Sequence, residues 1–124
     1  MNSEKSNSKV SLKKATIEML LLKLLSEEDM YGYQLSQELK KRSLEKYVIL
    51  EGSMYPILYR LTEKKYISFY EKKVGKRQTR VYYHLEDIGK EYYEEMRNDY
   101  EKYVKLINFL LSSKGGEVYE EQGV

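Results

Sequence analysis

The 124-residue sequence contains a single proline, and its position restricts how the chain can fold. It is Pro56, in the stretch GSMYPILYRL at residues 52–61. Apolar residues recur there with the i, i+3, i+4, i+7 spacing of an amphipathic helix: Met54, Ile57, Leu58 and Leu61. The first N–H groups of a helix lack partners within it, so a proline is tolerated near a helix start. We therefore predict a helix that is capped by Ser53, has Pro56 as its third residue and ends near Lys65.

Two further helical patterns precede this segment. The first covers about Leu12 to Ser26 and has apolar residues at helical spacing: Ile17, Leu20, Leu21, Leu24 and Leu25. The second covers about Met30 to Lys41 and places three apolar residues on one side: Tyr31, Leu35 and Leu39. Gly32 lowers the helix propensity of the second pattern. A close approach of another helix, which only a residue without a side chain allows, would explain a glycine at that position.

A predicted β-hairpin follows the third helix. Tyr66 to Glu71 and Arg80 to Leu85 are rich in β-branched and aromatic residues. The segment between them, KKVGKRQT, contains a glycine and several cations. We expect this segment to form the basic tip of the hairpin.

The chain is predicted to be helical again from Glu86 to about Ser112. Two rows of residues repeat every seven positions in this helix: Tyr93, Tyr100 and Ile107, and Met96, Tyr103 and Leu110. Such interleaved rows form the a/d seam of a helix pair. The simplest partner is a second copy of the chain, and the alternative is another helix of the same chain.

The order helix, helix, helix, hairpin, long helix defines the predicted fold class. It is mainly α with a small β-hairpin: a winged helix-turn-helix followed by a long C-terminal dimerisation helix. We expect a disordered N-terminus at residues 1–9 and a winged helix-turn-helix DNA-binding domain at 10–85. The dimerisation helix is expected at 86–112 and a disordered tail at 113–124.

Charge is unevenly distributed, although the formal net charge is only +2. Residues 60–80 carry eight cations and two acids, a net charge of +6. Residues 86–101 carry seven acids and two cations, a net charge of −5. A nearly neutral chain can therefore present a basic surface to a polyanion.

The composition argues against catalysis. There is no cysteine, His84 is the single histidine, and no phosphate-binding glycine loop or catalytic Ser/His/Asp order is visible. We expect no enzyme activity, no cofactor and no metal, and interpret His84 as a surface or packing residue. The polar N-terminus and the lack of long apolar runs lead us to expect a cytoplasmic protein with no membrane partner.

The outer face of the predicted helix 53–65 suits double-stranded DNA, because the second helix of a helix-turn-helix enters the major groove. The helix start can bind a phosphate, tyrosines can bind phosphate or a thymine methyl, and arginine can pair with phosphate or guanine. Hairpin cations would follow the backbone or the minor groove. The candidate DNA-binding residues are Ser53, Tyr55, Tyr59, Arg60, Lys64, Lys73, Lys76, Arg77 and Arg80. The alternatives are a tyrosine pair that only packs locally and a hairpin tip that is only solvated.

At these residues the sequence resembles the PadR family of bacterial transcriptional regulators. The matching segments are 15–25, 30–39, 52–67 and 75–91. The helix motif is matched by Gly52, Ser53, Met54, Tyr55, Pro56, Leu58 and Leu61, and the wing motif by Gly75, Lys76, Arg77, Arg80, Tyr83 and Leu85. The single C-terminal helix resembles that of the short subfamily. This resemblance implies a homodimer through the last helix, usually a repressor, often released by a small aromatic or drug-like ligand or by another signal. Glu86 follows Leu85 where many members have threonine, so the start of the last helix departs from the family pattern.

The last helix is rich in tyrosine, which raises the question of an effector site. In a dimer, four of its side chains could line a pocket for a small planar aromatic effector: Tyr92, Tyr93, Met96 and Tyr100. The alternative is that these residues only fill the dimer core. Two other functions stay open on the sequence, a winged-helix protein-interaction module and a nonspecific architectural DNA-binding protein.

Overall fold

The computed structural model describes the backbone of residues 2–121 and the side chains of residues 12–121. Its elements are helices α1 (Asn2–Glu27), α2 (Gly32–Arg42), α3 (Glu51–Glu63) and α4 (Asp87–Ser112), and strands β1 (Met30–Tyr31), β2 (Ile67–Val74) and β3 (Gln78–Leu85). This is a winged helix-turn-helix with a long C-terminal helix, so the predicted fold class is confirmed.

The sheet has one strand more than the sequence predicted. Its order is β1-β3-β2, and both pairings are antiparallel. β1 was assigned to the second helix, but Met30 pairs with Tyr83 and Tyr31 with Tyr82. A two-residue strand has too little sequence to show a period, and it forms because β3 offers a free edge.

α1 begins earlier than predicted, at Asn2 instead of about Leu12. It thereby includes residues 2–9, which the sequence led us to expect to be disordered. No proline or glycine occurs before Gly32, so no residue type that breaks a helix interrupts this segment.

The start of α3 also differs from the prediction. The helix begins at Glu51 with Leu50 as N-cap, so Ser53 is not the cap. The N–H groups of Ser53 and Met54 bond to the Leu50 carbonyl at 3.0 and 3.1 Å, which satisfies them without a capping side chain. Pro56 is therefore the sixth residue of the helix instead of the third.

The core lies between the first three helices and the inner face of the sheet. It contains Ile17, Leu21, Leu22, Leu24, Leu25, Met30, Leu35, Leu39, Ile49, Met54, Leu58, Leu61, Ile67 and Tyr93. The helix–helix approach expected at Gly32 is present, because a Cβ there would overlap the Tyr55 side chain of α3 and lie 2.8 Å from its Cζ. The tight α2–α3 junction fixes the orientation of α3 on the core.

α4 is fastened to this core by its first turns. The Glu86 N–H donates to the Tyr66 carbonyl at 3.0 Å, and the Tyr66 and Tyr92 rings stack with centroids 4.1 Å apart. The Tyr92 hydroxyl also donates to Glu18 Oε1 of α1 at 3.2 Å. The start of α4 thus has a defined direction relative to α3.

The tail after α4 contains no helix or strand within residues 113–121. A backbone hydrogen bond from Glu117 N–H to the Lys114 carbonyl closes a turn at 3.1 Å. The Tyr119 ring then lies 5.4 Å from that of Phe109 on α4. Residues 122–124, which belong to the segment expected to be disordered, lie outside the described residues.

Candidate DNA-binding surface

The outer face of α3 is exposed, as the sequence predicted. Met54, Leu58 and Leu61 are fully buried on the opposite side of the helix. Tyr59 is 69% exposed, and Ser53, Arg60 and Lys64 are exposed as well. This side of α3 therefore offers hydroxyl and cationic groups that the core does not use.

Tyr55 differs from the other candidates on α3 because its ring packs on Gly32. The side chain is 41% exposed. Burial, with a smaller effect from the Glu51 carboxylate, raises the pKa of its hydroxyl. Tyr55 thus fixes the α2–α3 junction and keeps a protonated hydroxyl near the surface.

The cationic side chains of the hairpin are exposed to solvent. Lys76 and Arg77 lie in the turn between β2 and β3, after Gly75 at φ +75°. Lys73 and Arg80 on the strands are also exposed. Among residues with described side chains, no ion pair involves a lysine or arginine of the hairpin, so these charges can meet an external anion.

One face of the sheet carries a row of three tyrosines, one from each strand, that the sequence did not reveal. The Tyr82 ring lies 5.5 Å from Tyr31 and 5.7 Å from Tyr70, measured between centroids. The Arg80 guanidinium sits 4.3 Å from the centre of Tyr31, and Lys72 Nζ is 5.4 Å from that of Tyr82. The alternation of side chains along a strand could have placed Tyr70 and Tyr82 on one face of the hairpin. It could not have added Tyr31, because the sequence assigned that residue to a helix.

His84 lies on the same sheet face and is not merely a surface residue. Its Nδ1 is 2.8 Å from Asp29 Oδ1, and the Tyr70 hydroxyl donates to Asp29 Oδ2 at 2.8 Å. The contact with Asp29 raises the pKa of His84. Although burial opposes ionisation of Asp29, hydrogen bonds from His84 and Tyr70 hold its pKa below the usual value.

The predicted dimer seam is only partly available on α4. Tyr93 is 7% exposed and packs in the chain's own core, which leaves little of its side chain for the predicted dimer contact. The reason is that the first turns of α4 pack on the body of the same chain, where Met96 is also half-buried. Beyond them, Tyr100, Tyr103 and Leu110 are 47%, 64% and 56% exposed, and Ile107 is half-buried.

None of the four candidate effector residues lines either of two surface cavities in the described part of the chain. Tyr92 stacks on Tyr66, and Tyr93 accepts a hydrogen bond from Arg97 Nη1 at 3.3 Å. A surface cavity of about 570 Å³ instead lies between the end of α3, the start of β2 and the start of α4. Its lining includes Lys65, Phe69 and Ile88 and none of the four predicted residues.

The exposed helix face and the basic hairpin together define a winged helix-turn-helix regulator. Within the described residues, no helix has the length and apolarity needed to cross a bilayer. The model of the Transcriptional regulator PadR-like family matches residues 21–95. The chain belongs to this family, and it is a DNA-binding transcriptional regulator.

Solved structures of other proteins agree with this assignment. A PadR-like transcriptional regulator from Bacillus cereus is 33% identical, with a TM-score of 0.71 over 84% of this chain and 99% of that one. A transcriptional regulator from Clostridium thermocellum is 31% identical, with a TM-score of 0.74 over 79% and 95% of the two chains. A PadR family regulator from Eggerthella lenta shares the fold, with a TM-score of 0.81 at 24% identity, over 91% and 96% of the chains.

Proposed function

We propose that the protein is a sequence-specific repressor that binds a roughly palindromic promoter site as a homodimer. The observation that carries this proposal is the pairing of the exposed face of α3 with the unpaired cations of the adjacent hairpin. A helix in the major groove reads base edges, and cations on the wing bind phosphates. The two groups of side chains can therefore supply specificity and affinity separately.

Each candidate residue has a role in this proposal. Tyr59 and Arg60 would contact bases and phosphates in the major groove, with Tyr55 held near them by Gly32. Ser53 and Lys64 would bind phosphates at the two ends of α3. The hairpin cations would follow the backbone beside the minor groove: Lys73, Lys76, Arg77 and Arg80.

The dimer would form along the exposed part of α4. Tyr100, Tyr103, Ile107 and Leu110 leave an apolar stripe along the distal half of the helix. Pairing two such stripes would bury them and hold two α3 helices at a fixed distance. A two-fold dimer of this kind recognises half-sites about one helical turn of DNA apart, or a multiple of it.

Release by a small aromatic effector is the regulatory part of the proposal. Tyr100 and the half-buried Met96 lie on α4 at the point beyond which the helix no longer packs on its own chain. In a dimer, the same two residues of the second copy would face them. A planar molecule between them would change the angle of the two α4 helices and hence the spacing of the two α3 helices. Equal spacing in the free and effector-bound dimers would contradict this mechanism.

The test is binding of the purified protein to its own upstream promoter DNA and to a scrambled duplex of equal length, at two salt concentrations. Tyr59→Ala removes a side chain of α3 that makes no core contact, and a triple alanine variant removes Lys76, Arg77 and Arg80. We expect promoter-selective binding. Tyr59→Ala should lower the affinity for the promoter to that for the scrambled duplex, and the triple variant should weaken binding equally on both duplexes. Equal wild-type binding to both would indicate an architectural protein, and no binding at low salt would indicate a protein partner.

A further inference from the structure

The loop between α1 and β1 holds the hairpin through one side chain, that of Asp29. Its two carboxylate oxygens each contact a different strand, Oδ1 the His84 ring on β3 and Oδ2 the Tyr70 hydroxyl on β2, both at 2.8 Å. Tyr70 pairs with Tyr82 and Ser68 with His84, so the two contacted residues lie two rungs apart on the same face of the ladder. One carboxylate thus ties both strands of the wing to the helical body.

The inner face of the hairpin packs on the core through Ile67, Tyr83 and Leu85. On the outer face, the body meets the hairpin through Asp29 and β1. β1 pairs only Met30 and Tyr31 with β3. The Tyr31 ring adds an edge contact with Tyr82 and lies under the Arg80 guanidinium. Asp29 immediately precedes this two-residue strand, and it reaches β2, which β1 does not.

We propose that Asp29 is a positioning residue for the wing: it sets the angle between the hairpin and α3, and so places Lys76 and Arg77 against DNA phosphates. This inference rests on the proposed function, in which α3 and the hairpin bind one duplex. Asp29 itself does not contact the DNA, since a carboxylate beside a phosphate is repelled.

The length of the hairpin makes its angle important. At the rise of an extended strand, the tip at Lys76 lies about 20 Å beyond Tyr70. A tilt of about 10° at the anchor therefore moves the tip by about 3 Å, which is a whole hydrogen-bond length. Without the anchor, the cations at the tip would lose their register with the phosphates, while α3, held by the core, would not move.

The test is a pair of double-mutant cycles on promoter binding as a function of salt. One cycle combines Asp29→Ala with Lys76→Ala/Arg77→Ala, and the other combines Asp29→Ala with Tyr59→Ala. Glu28→Ala is the matched control, because it removes the same charge from the neighbouring residue, whose carboxylate lies near Gln34 on α2. Tyr70→Phe is a second, milder variant that removes one hydrogen bond and keeps the ring on Tyr82.

A plot of log affinity against log salt has a negative slope. In the wild type, removing Lys76 and Arg77 should make this slope less steep by about 2. In the Asp29→Ala protein, the same change should alter the steepness of the slope by less than about 0.5, because the hairpin tip no longer contacts the DNA phosphates. Tyr59→Ala should reduce affinity by the same factor in both proteins. Equal effects of the wing change in both proteins, or a diminished effect of Tyr59→Ala, would overturn the inference.

Hydrogen exchange in the free protein separates this inference from the proposed function. If the wild type binds no promoter DNA, the proposed function fails. The effect of Asp29 on the hairpin can still be measured in the free protein. Asp29→Ala and, more weakly, Tyr70→Phe should speed exchange of the hairpin amides, whereas Glu28→Ala should not. Unchanged exchange in Asp29→Ala would overturn the anchor whatever the DNA result.

Discussion

Gly89 is buried where α4 crosses the end of the hairpin. A Cβ at this position would collide with the Tyr66 carbonyl and lie 2.8 Å from Leu85 Cδ1. The carbonyl cannot easily move, because it accepts the hydrogen bond from Glu86 N–H. A side chain at residue 89 would therefore push α4 off the body of the chain.

We predict that Gly89→Ala lowers the free energy of unfolding by about 2–3 kcal/mol through overpacking. Gly52→Ala is the control, since no atom lies within 4 Å of a Cβ there and the residue is exposed in a helix. That change should be neutral or stabilise by up to about 1 kcal/mol. Urea denaturation of both variants measures the difference, and similar effects of the two changes would contradict the prediction.

Glu27 joins the ends of α1 and α2. Arg42 donates to both carboxylate oxygens, at 2.7 and 2.8 Å, and Lys23 contacts one of them. The hydrogen bonds from Arg42 and then Lys23 lower the pKa of Glu27 from 4.5 to about 2. A carboxyl group with a depressed pKa stabilises the fold above its unfolded pKa, and this contribution disappears as the pH falls to the folded pKa.

We therefore expect wild type to be more stable than Glu27→Gln by a constant margin above about pH 5. The margin should shrink between pH 4.5 and about 2. It should be about 1 kcal/mol or less, because the pair is partly exposed and screened by water. Thermal unfolding of both proteins across this range checks the sign, and a margin that widens with acid would contradict it.

At the scale of elements, the direction of α4 depends on the stacked pair of Tyr66 and Tyr92. The rings are nearly parallel, with an interplanar angle of 3°, and the Tyr92 hydroxyl reaches Glu18 on α1. Burial, and then the Glu18 carboxylate, raises the pKa of that hydroxyl, so it remains a donor at neutral pH. The residue that the sequence suggested for an effector thus serves to dock the helix.

We predict that Tyr92→Ala lowers the free energy of unfolding by about 2 kcal/mol, because the stack and the buried ring area are lost. Tyr92→Phe keeps the stack and loses only the hydrogen bond, so its cost should be about 1 kcal/mol or less. Chemical denaturation measures both. If the two variants were equally destabilised, the stack would not be what fastens α4.

At the scale of the whole molecule, part of the distal half of α4 stays exposed among the described residues of the single chain. Leu110 and Leu111 are 56% and 80% exposed, and Tyr103 is 64% exposed. An apolar stripe of this kind on a helix that extends beyond its own core is typical of an interface. Dimerisation would cover it and would also let two α3 helices bind DNA together.

We predict that Ile107→Asp converts a dimer to a monomer and weakens promoter binding more than tenfold, because the second recognition helix no longer adds its affinity. Asn108→Asp is the control, since it adds the same charge at the next residue, off the heptad rows. Sedimentation velocity gives the mass of each variant. A monomeric wild type, or a dimeric Ile107→Asp, would contradict the prediction.

The sequence alone determined the fold class and the order of the four helices and the hairpin, because hydrophobic period is a local property. Three features were predicted in this way: the apolar stripe of α3, the basic turn at Lys76 and Arg77, and the long α4. The end of α4 at Ser112 also agrees with the prediction.

Only the tertiary structure decided what depends on residues far apart in the chain. β1 exists because β3 lies beside it, and Tyr93 is core because the start of α4 docks on its own chain. Asp29 meets Tyr70 and His84 across 41 and 55 positions, a pairing that no spacing rule contains. The physical reason is that burial and hydrogen bonding are properties of a place in the folded molecule, whereas a sequence pattern reports only which side of its own helix or strand a residue occupies.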